Sequence, residues 1–241
     1  MAYQPVVDSK THEIEFFEAL IRLESEDGSV LEAGNFVSVA EYLGLIRLVD
    51  HYALDLAIET LRKYPTAKLS LNVSNETAGD PEWLSKLAIA ALGQPDIPPR
   101  LIVEITESHA AESLAEASRF VRSLHDLGFK VALDDFGAGF TSFRNLKDLP
   151  FDIIKVDGMF AVDMDDNPQN RGFISALVGL AKLFDAKTVV EWVEDTHSAD
   201  QLRDWGVDYL QGYNFGKPRK EPQWPLGAEV PDSQEVISSV A

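Results

Sequence analysis

Carboxylates recur along this 241-residue chain at the ends of short apolar runs, and that placement is what gives them chemistry. Val131, Ala132 and Leu133 lead straight into Asp134 and Asp135, with Phe136 and Gly137 behind them. Neighbouring carboxylates repel when both are ionised, so they share a proton or face a cation. Glu18 with Leu20 and Arg22, Asn72, Glu104 with Glu107, Lys155 with Asp157, Glu191 with Glu194, and Gln211 stand in or beside similar apolar runs. Bringing so many acids together costs roughly several kcal/mol each in desolvation unless they are paired. Lys155 alone does not compensate them, whereas hard divalent cations with oxygen ligands do, and Asn72 offers a neutral oxygen of the same kind. Two ions bridged by a carboxylate such as Asp134 suit in-line attack of water on a phosphodiester. The chain has no cysteine and its histidines show no metal spacing, so magnesium or manganese is expected before zinc. A glycosidase with a carboxylate pair is the rival chemistry, but it needs neither so many acids nor the lysine.

These residues must be carried by strands and positioned by helices. Apolar runs with two-residue alternation predict strands at 14–22, 69–74, 101–107, 131–134, 153–157, 187–194 and 209–213. Three- and four-residue apolar spacing predicts helices within 36–61, broken near Gly44, and over 81–92, 110–127, 172–184 and 199–205. Asp80-Pro81 is a helix start, because Asp caps free amides and proline suits the first turn. Strand–helix alternation implies a mostly parallel sheet with helical crossovers, and about seven units over this length fit a closed β/α barrel. In such a barrel, the groups at the carboxyl ends of the strands meet on one face. Residues 1–10 read as a lead, 11–218 as the barrel, and 219–241, rich in proline, as a loosely held tail. Gly137-Ala138-Gly139 follows two acids and lacks a third glycine, so it is not a dinucleotide fingerprint.

Composition narrows the partners. A formal charge of −19 repels polyanions and argues against a nucleic-acid polymer. No apolar run is long enough for a membrane span, the first ten residues lack a signal-peptide layout, and cysteine is absent. A cytoplasmic setting is therefore expected.

Glu18-Ala19-Leu20-Ile21-Arg22 resembles the signature that names the EAL domain family, and further motifs follow in family order. They are Asn72-Val73-Ser74, Glu104-Ile105-Thr106-Glu107, Asp134 to Phe140, Lys155-Val156-Asp157, and Gln211-Gly212-Tyr213 with Pro218. The resemblance covers nearly the whole chain and implies an α/β fold, a modified (β/α)8 TIM-like barrel in a single domain. It further implies hydrolysis of cyclic di-GMP to linear pGpG with two magnesium or manganese ions. Glu18, Asn72, Glu104 and Asp134 would hold the first ion, and Asp134 with Asp135 the second. Lys155 would orient the water, Glu191 would act as general base or metal partner, and Glu107 would brace the loop after Asp135. Arg22 and Leu20 would meet the substrate, with Asp157, Glu194 and Gln211 completing the rim. A homodimer through that loop, and a regulatory partner protein, also follow from the resemblance.

The sequence departs from the family pattern at three places. Trp192 stands where the family has glycine in Ala-Glu-Gly-Val-Glu, Gly158 where an arginine often follows Lys-Ile-Asp, and Ala33 where proline is usual. The tryptophan either narrows the pocket or packs outward against a helix. Trp192 and Gly158 set a second expectation beside the enzyme, a receptor that binds cyclic di-GMP without hydrolysing it and signals through a partner, and a third is an interaction domain that has lost both abilities.

Overall fold

The computed structural model describes residues 1–112, 114–137, 149–162, 164, 167–222 and 224. Its strands are β1 (Ala2–Asp8), β2 (Ile14–Leu20), β3 (Arg22–Glu24), β4 (Val30–Glu32), β5 (Leu69–Asn72), β6 (Leu101–Thr106), β7 (Lys130–Phe136), β8 (Ile153–Val156), β9 (Lys187–Val190) and β10 (Tyr209–Gln211). Eight of them close a barrel in the order β1-β10-β9-β8-β7-β6-β5-β2, while β3 and β4 form a separate ribbon. From β2 through β10 the barrel neighbours run parallel. β1 is antiparallel to both β2 and β10. The barrel is thus α/β and TIM-like, with one reversed strand.

The expected lead at 1–10 is therefore a barrel strand. Ala2, Tyr3, Val6 and Val7 are buried, but Gln4 and Pro5 interrupt their apolar alternation and hide the pattern. A tight turn suffices to join β1 to β2 because the pair is antiparallel. Asp8 closes that turn by accepting from the Lys10 and Thr11 backbone N–H groups at 2.8 and 2.9 Å.

The expected tail is also partly fixed. Arg219 exchanges backbone hydrogen bonds with Tyr3, and the Trp224 ring packs 4.9, 5.0 and 4.7 Å from the rings of Tyr3, Phe17 and Tyr64. Residues 225–241 lie outside the described residues.

Most helices fall where spacing placed them. Val37–Tyr42 and Ile46–Lys63 flank Gly44, whose φ of 70° breaks the helical path. Pro81–Gly93 is capped by Asp80, and Pro168–Leu183 starts ahead of the expected Gly172 because Asn167 caps it. Among the described residues, no helix is long and apolar enough to cross a membrane.

Two layers fill the barrel along the two-residue period of its strands. Val6, Phe16, Ile102, Ala132, Ile153 and Val189 form a buried apolar cluster apart from the main core, with Tyr209 packed against it. Two residues from these lie, in turn, Gln4, Glu18, Glu104, Asp134, Lys155, Glu191 and Gln211. The apolar layer is a floor, and the polar layer sits on it at the carboxyl ends of the parallel strands.

Candidate active site

Lys155 is the centre of the polar layer. It is 1% exposed, and its Nζ lies 2.7 Å from Glu191 Oε1, 2.9 Å from Asp134 Oδ1, 2.9 Å from Glu104 Oε2 and 3.6 Å from Glu18 Oε2. Four carboxylates face one ammonium. Burial alone lowers a lysine pKa, yet Asp134, Glu104, Glu18 and Glu191 together hold Lys155 well above the usual value. Burial pushes Glu104 well up, with Lys155 opposing and Glu18 and Asp134 adding. Glu191 is pushed to about 8 by burial, which outweighs the pull of Lys155, with Asp134 and Glu18 adding. Glu18 is lowered despite its burial, because Lys155, Gln211 and Asn72 all favour its ionised form.

Amides hold Glu18 in place. Asn72 Nδ2 donates to its Oε1 at 2.8 Å, and Gln211 Nε2 donates to its Oε2 at 2.6 Å. Gln211 also donates to Gln4 Oε1 at 3.2 Å. Gln211, expected on the substrate rim, is thus buried and bonded to Glu18. Gln4 is a site residue that the reading missed, since β1 itself was not recognised. Its signal was present: Gln4 stands two residues from Val6 as Glu18 does from Phe16.

Strand alternation should turn Asp135 away from Asp134. The register between β7 and β8 shifts between Leu133 and Phe136, and Asp135 has a φ of 55°. Aspartate tolerates that left-handed conformation, and such irregularities re-aim side chains. Asp135 consequently joins Asp134 and Glu191 in one cluster whose carboxylate oxygens lie within 4.8 Å of one another. Burial and the nearby Asp134 raise its carboxyl to about 6. Beyond it, the Gly137 N–H donates to Glu107 Oε2 at 2.8 Å. Glu107 opens the helix Glu107–Glu112 instead of ending β6.

Glu18, Glu104 and Asp134 form a second cluster of the same dimension. The residues present fit hard cations: two carboxylate clusters share Asp134, the acids outnumber the lysine, and Glu104 Oε1 is buried with no hydrogen-bond donor among the described residues.

Beside this pole opens a cavity of about 380 Å³, whose lining includes Leu20, Arg22, Glu194, Trp192 and Tyr213. Three of the five expected substrate residues meet there. Asp157 does not line it; its Oδ1 accepts from the Met159 N–H at 2.8 Å and caps the short helix Gly158–Phe160. Glu191 to Glu194, expected inside a strand, follow β9 as a loop, and Trp192 takes a φ of 55° within it. A Cβ built on Gly158 would fall 2.1 Å from Trp192 Cγ. Two of the three departures from the family pattern, Trp192 and Gly158, therefore touch, a contact that no sequence spacing announces.

The family model described as "EAL domain" matches residues 1–218. The chain belongs to the EAL domain family. This EAL domain is 30% identical over 229 residues to the cyclic di-GMP phosphodiesterase PdeB of Shewanella oneidensis, covering 90% of this chain and 26% of that protein. It spans only 26% to 32% of the length of that and other curated relatives. Among solved structures, it superposes on the PaMucR phosphodiesterase in complex with c-di-GMP with a TM-score of 0.84 at 28% identity, over 90% of each chain. It also superposes on the FimX EAL domain from Pseudomonas aeruginosa bound to c-di-GMP, with a TM-score of 0.85 at 26% identity, over 93% of this chain and 92% of that one.

Proposed function

We propose that this EAL domain is a metal-dependent phosphodiesterase that opens cyclic di-GMP to linear pGpG. The observation that carries this reading is the excess of buried acid around Lys155: two carboxylate clusters joined at Asp134, more negative charge than one ammonium balances. Membership of a family with relatives named cyclic di-GMP phosphodiesterases supports the substrate.

Glu18, Asn72, Glu104 and Asp134 would hold one magnesium or manganese ion, and Asp134 with Asp135 another, with the Glu191 carboxylate beside them as the base. Bound there, such ions supply Lewis acidity toward water and toward the phosphate oxygens. The protein's own groups do the rest. Lys155 fixes the carboxylates that orient an attacking water. That water adds to phosphorus in line with the 3′ oxygen as Glu191 accepts its proton, the P–O3′ bond breaks, and the departing O3′ takes a proton from solvent, leaving a 5′-phosphate and a 3′-hydroxyl while Glu191 returns its proton to solvent. Arg22 and Leu20 in the adjoining cavity meet the nucleotide, Gln211 and Asn72 keep Glu18 aligned, and Glu107 holds the turn at Gly137.

A second reading is a receptor that binds cyclic di-GMP without turnover. Trp192 favours it, because a bulky ring stands at the cavity beside Glu191 where the family has glycine. Incubation with cyclic di-GMP and magnesium, followed by chromatography of the nucleotides, separates the two: pGpG supports the enzyme, and saturable binding without product supports the receptor. The loop that the resemblance offers as a dimer contact, 138–148, lies outside the described residues. A homodimer and a regulatory partner are proposals on the family resemblance, and a cytoplasmic location is a proposal on the composition of the chain.

A further inference from the structure

Trp192 is an unusual residue for its backbone. A bulky side chain at a φ of 55° occupies a region that glycine adopts freely and large residues avoid. Nor does the ring earn its place by packing, since Trp192 is 57% exposed. Strain of this kind persists where the surroundings enforce it, and it clusters at functional positions.

The surroundings are specific. One side of the indole rests on Gly158, where even a methyl group would fall 2.1 Å from Cγ and 2.2 Å from Cδ2. Any side chain at 158 would displace the ring. The remaining surface lines the cavity that holds Leu20 and Arg22, next in sequence to Glu191 at the reacting pole. Tyr213, 58% exposed, lines the same cavity, with Lys217 Nζ 4.8 Å from its ring centroid. In an acidic chain whose pole carries excess negative charge, an aromatic face gives affinity for a nucleotide without adding a cation.

We propose that Trp192, seated on Gly158, is a stacking platform for one guanine base of the nucleotide, and so a further substrate-binding residue that sets the affinity of this site. The proposal rests on the reading of the pole as a cyclic di-GMP site, but it holds for an enzyme and a receptor alike. Base–aromatic stacking corresponds to about 5- to 150-fold in affinity per base.

The test is calorimetric titration of cyclic di-GMP into the chain with calcium, which takes the same oxygen ligands as magnesium. Trp192→Phe, which keeps an aromatic face, should bind within about threefold of the parent, whereas Trp192→Leu and Trp192→Gly should bind about 5- to 150-fold more weakly. Gly158→Ala removes no group that touches the nucleotide, yet it should weaken binding similarly by tilting the ring. Added to Trp192→Gly, it should cost nothing further, since the two act through one contact. Melting temperatures near the parent value establish that each variant is folded. Unchanged affinity in folded Trp192→Leu, or full additivity of Gly158→Ala with Trp192→Gly, overturns the platform alone. No binding by the parent chain overturns the nucleotide-site reading, and the platform with it.

Discussion

The Lys155 ammonium stands 2.7 Å from Glu191 Oε1, on a neighbouring strand's end, and 2.9 Å from Asp134 Oδ1 on the other side. One buried cation thus ties together acids carried by β7 and by the loop after β9. Replacing it by methionine keeps the volume but leaves its carboxylates unpaired. Lys155→Met should destabilise the metal-free chain by about 3–5 kcal/mol, read by thermal or denaturant unfolding. Turnover should fall by at least about a hundredfold even with saturating magnesium. Retained turnover would remove Lys155 from the chemistry.

The acids around it set a pH dependence. Burial pushes the folded Glu191 carboxyl up to about 8 and the Asp135 carboxyl up to about 6, both above the usual carboxylate range. Each therefore binds its proton more tightly folded than unfolded. Their contribution to stability is complete below the unfolded values and is lost as pH rises through 6 and then 8. Glu18, lowered, works in the opposite sense only at acid pH. The metal-free melting temperature should accordingly fall between pH 5 and 8, and magnesium should restore most of the loss at pH 8 and little at pH 5. A metal-free melting temperature that rises across that range contradicts the charge balance.

Glu107 tests the turn that aims Asp135. Its carboxylate is buried and accepts the Gly137 N–H at 2.8 Å. Glu107→Ala leaves that amide without its acceptor, at a cost of about 1–3 kcal/mol. Because Asp135 lies two residues away, the magnesium concentration for half-maximal activity should rise as well. An unchanged metal dependence would make Glu107 purely structural.

Trp192→Gly should keep or raise the melting temperature, because glycine relieves a left-handed residue that costs on the order of 1–3 kcal/mol. Differential scanning calorimetry reads it. A fall of several degrees would mean that the indole holds the loop.

The polar pole was legible because it obeys the simplest rules of strands. Glu18, Glu104, Asp134 and Lys155 each stand two residues beyond an apolar residue of the barrel floor, and parallel strands deliver their carboxyl ends to one face. What was not legible depends on backbone irregularity or on distant contact. Asp135 reaches the pole through a register shift and a positive φ, which alternation cannot express. Val190 and Val193 made 187–194 resemble one strand, although pairing with β8 and β10 ends at Val190. β1 was hidden by Gln4 and Pro5, and with it the Gln4–Gln211–Glu18 chain of hydrogen bonds. The Trp192–Gly158 contact joins two loops that no local pattern relates.

The most direct measurement is chromatography of cyclic di-GMP after incubation with the parent chain and with Asp134→Asn, each with magnesium and with chelator. The two-cluster site predicts pGpG from the parent with magnesium only, and none from Asp134→Asn although it stays folded. Product from Asp134→Asn at the parent rate, or from the chelated parent, would contradict metal-dependent hydrolysis at this pole.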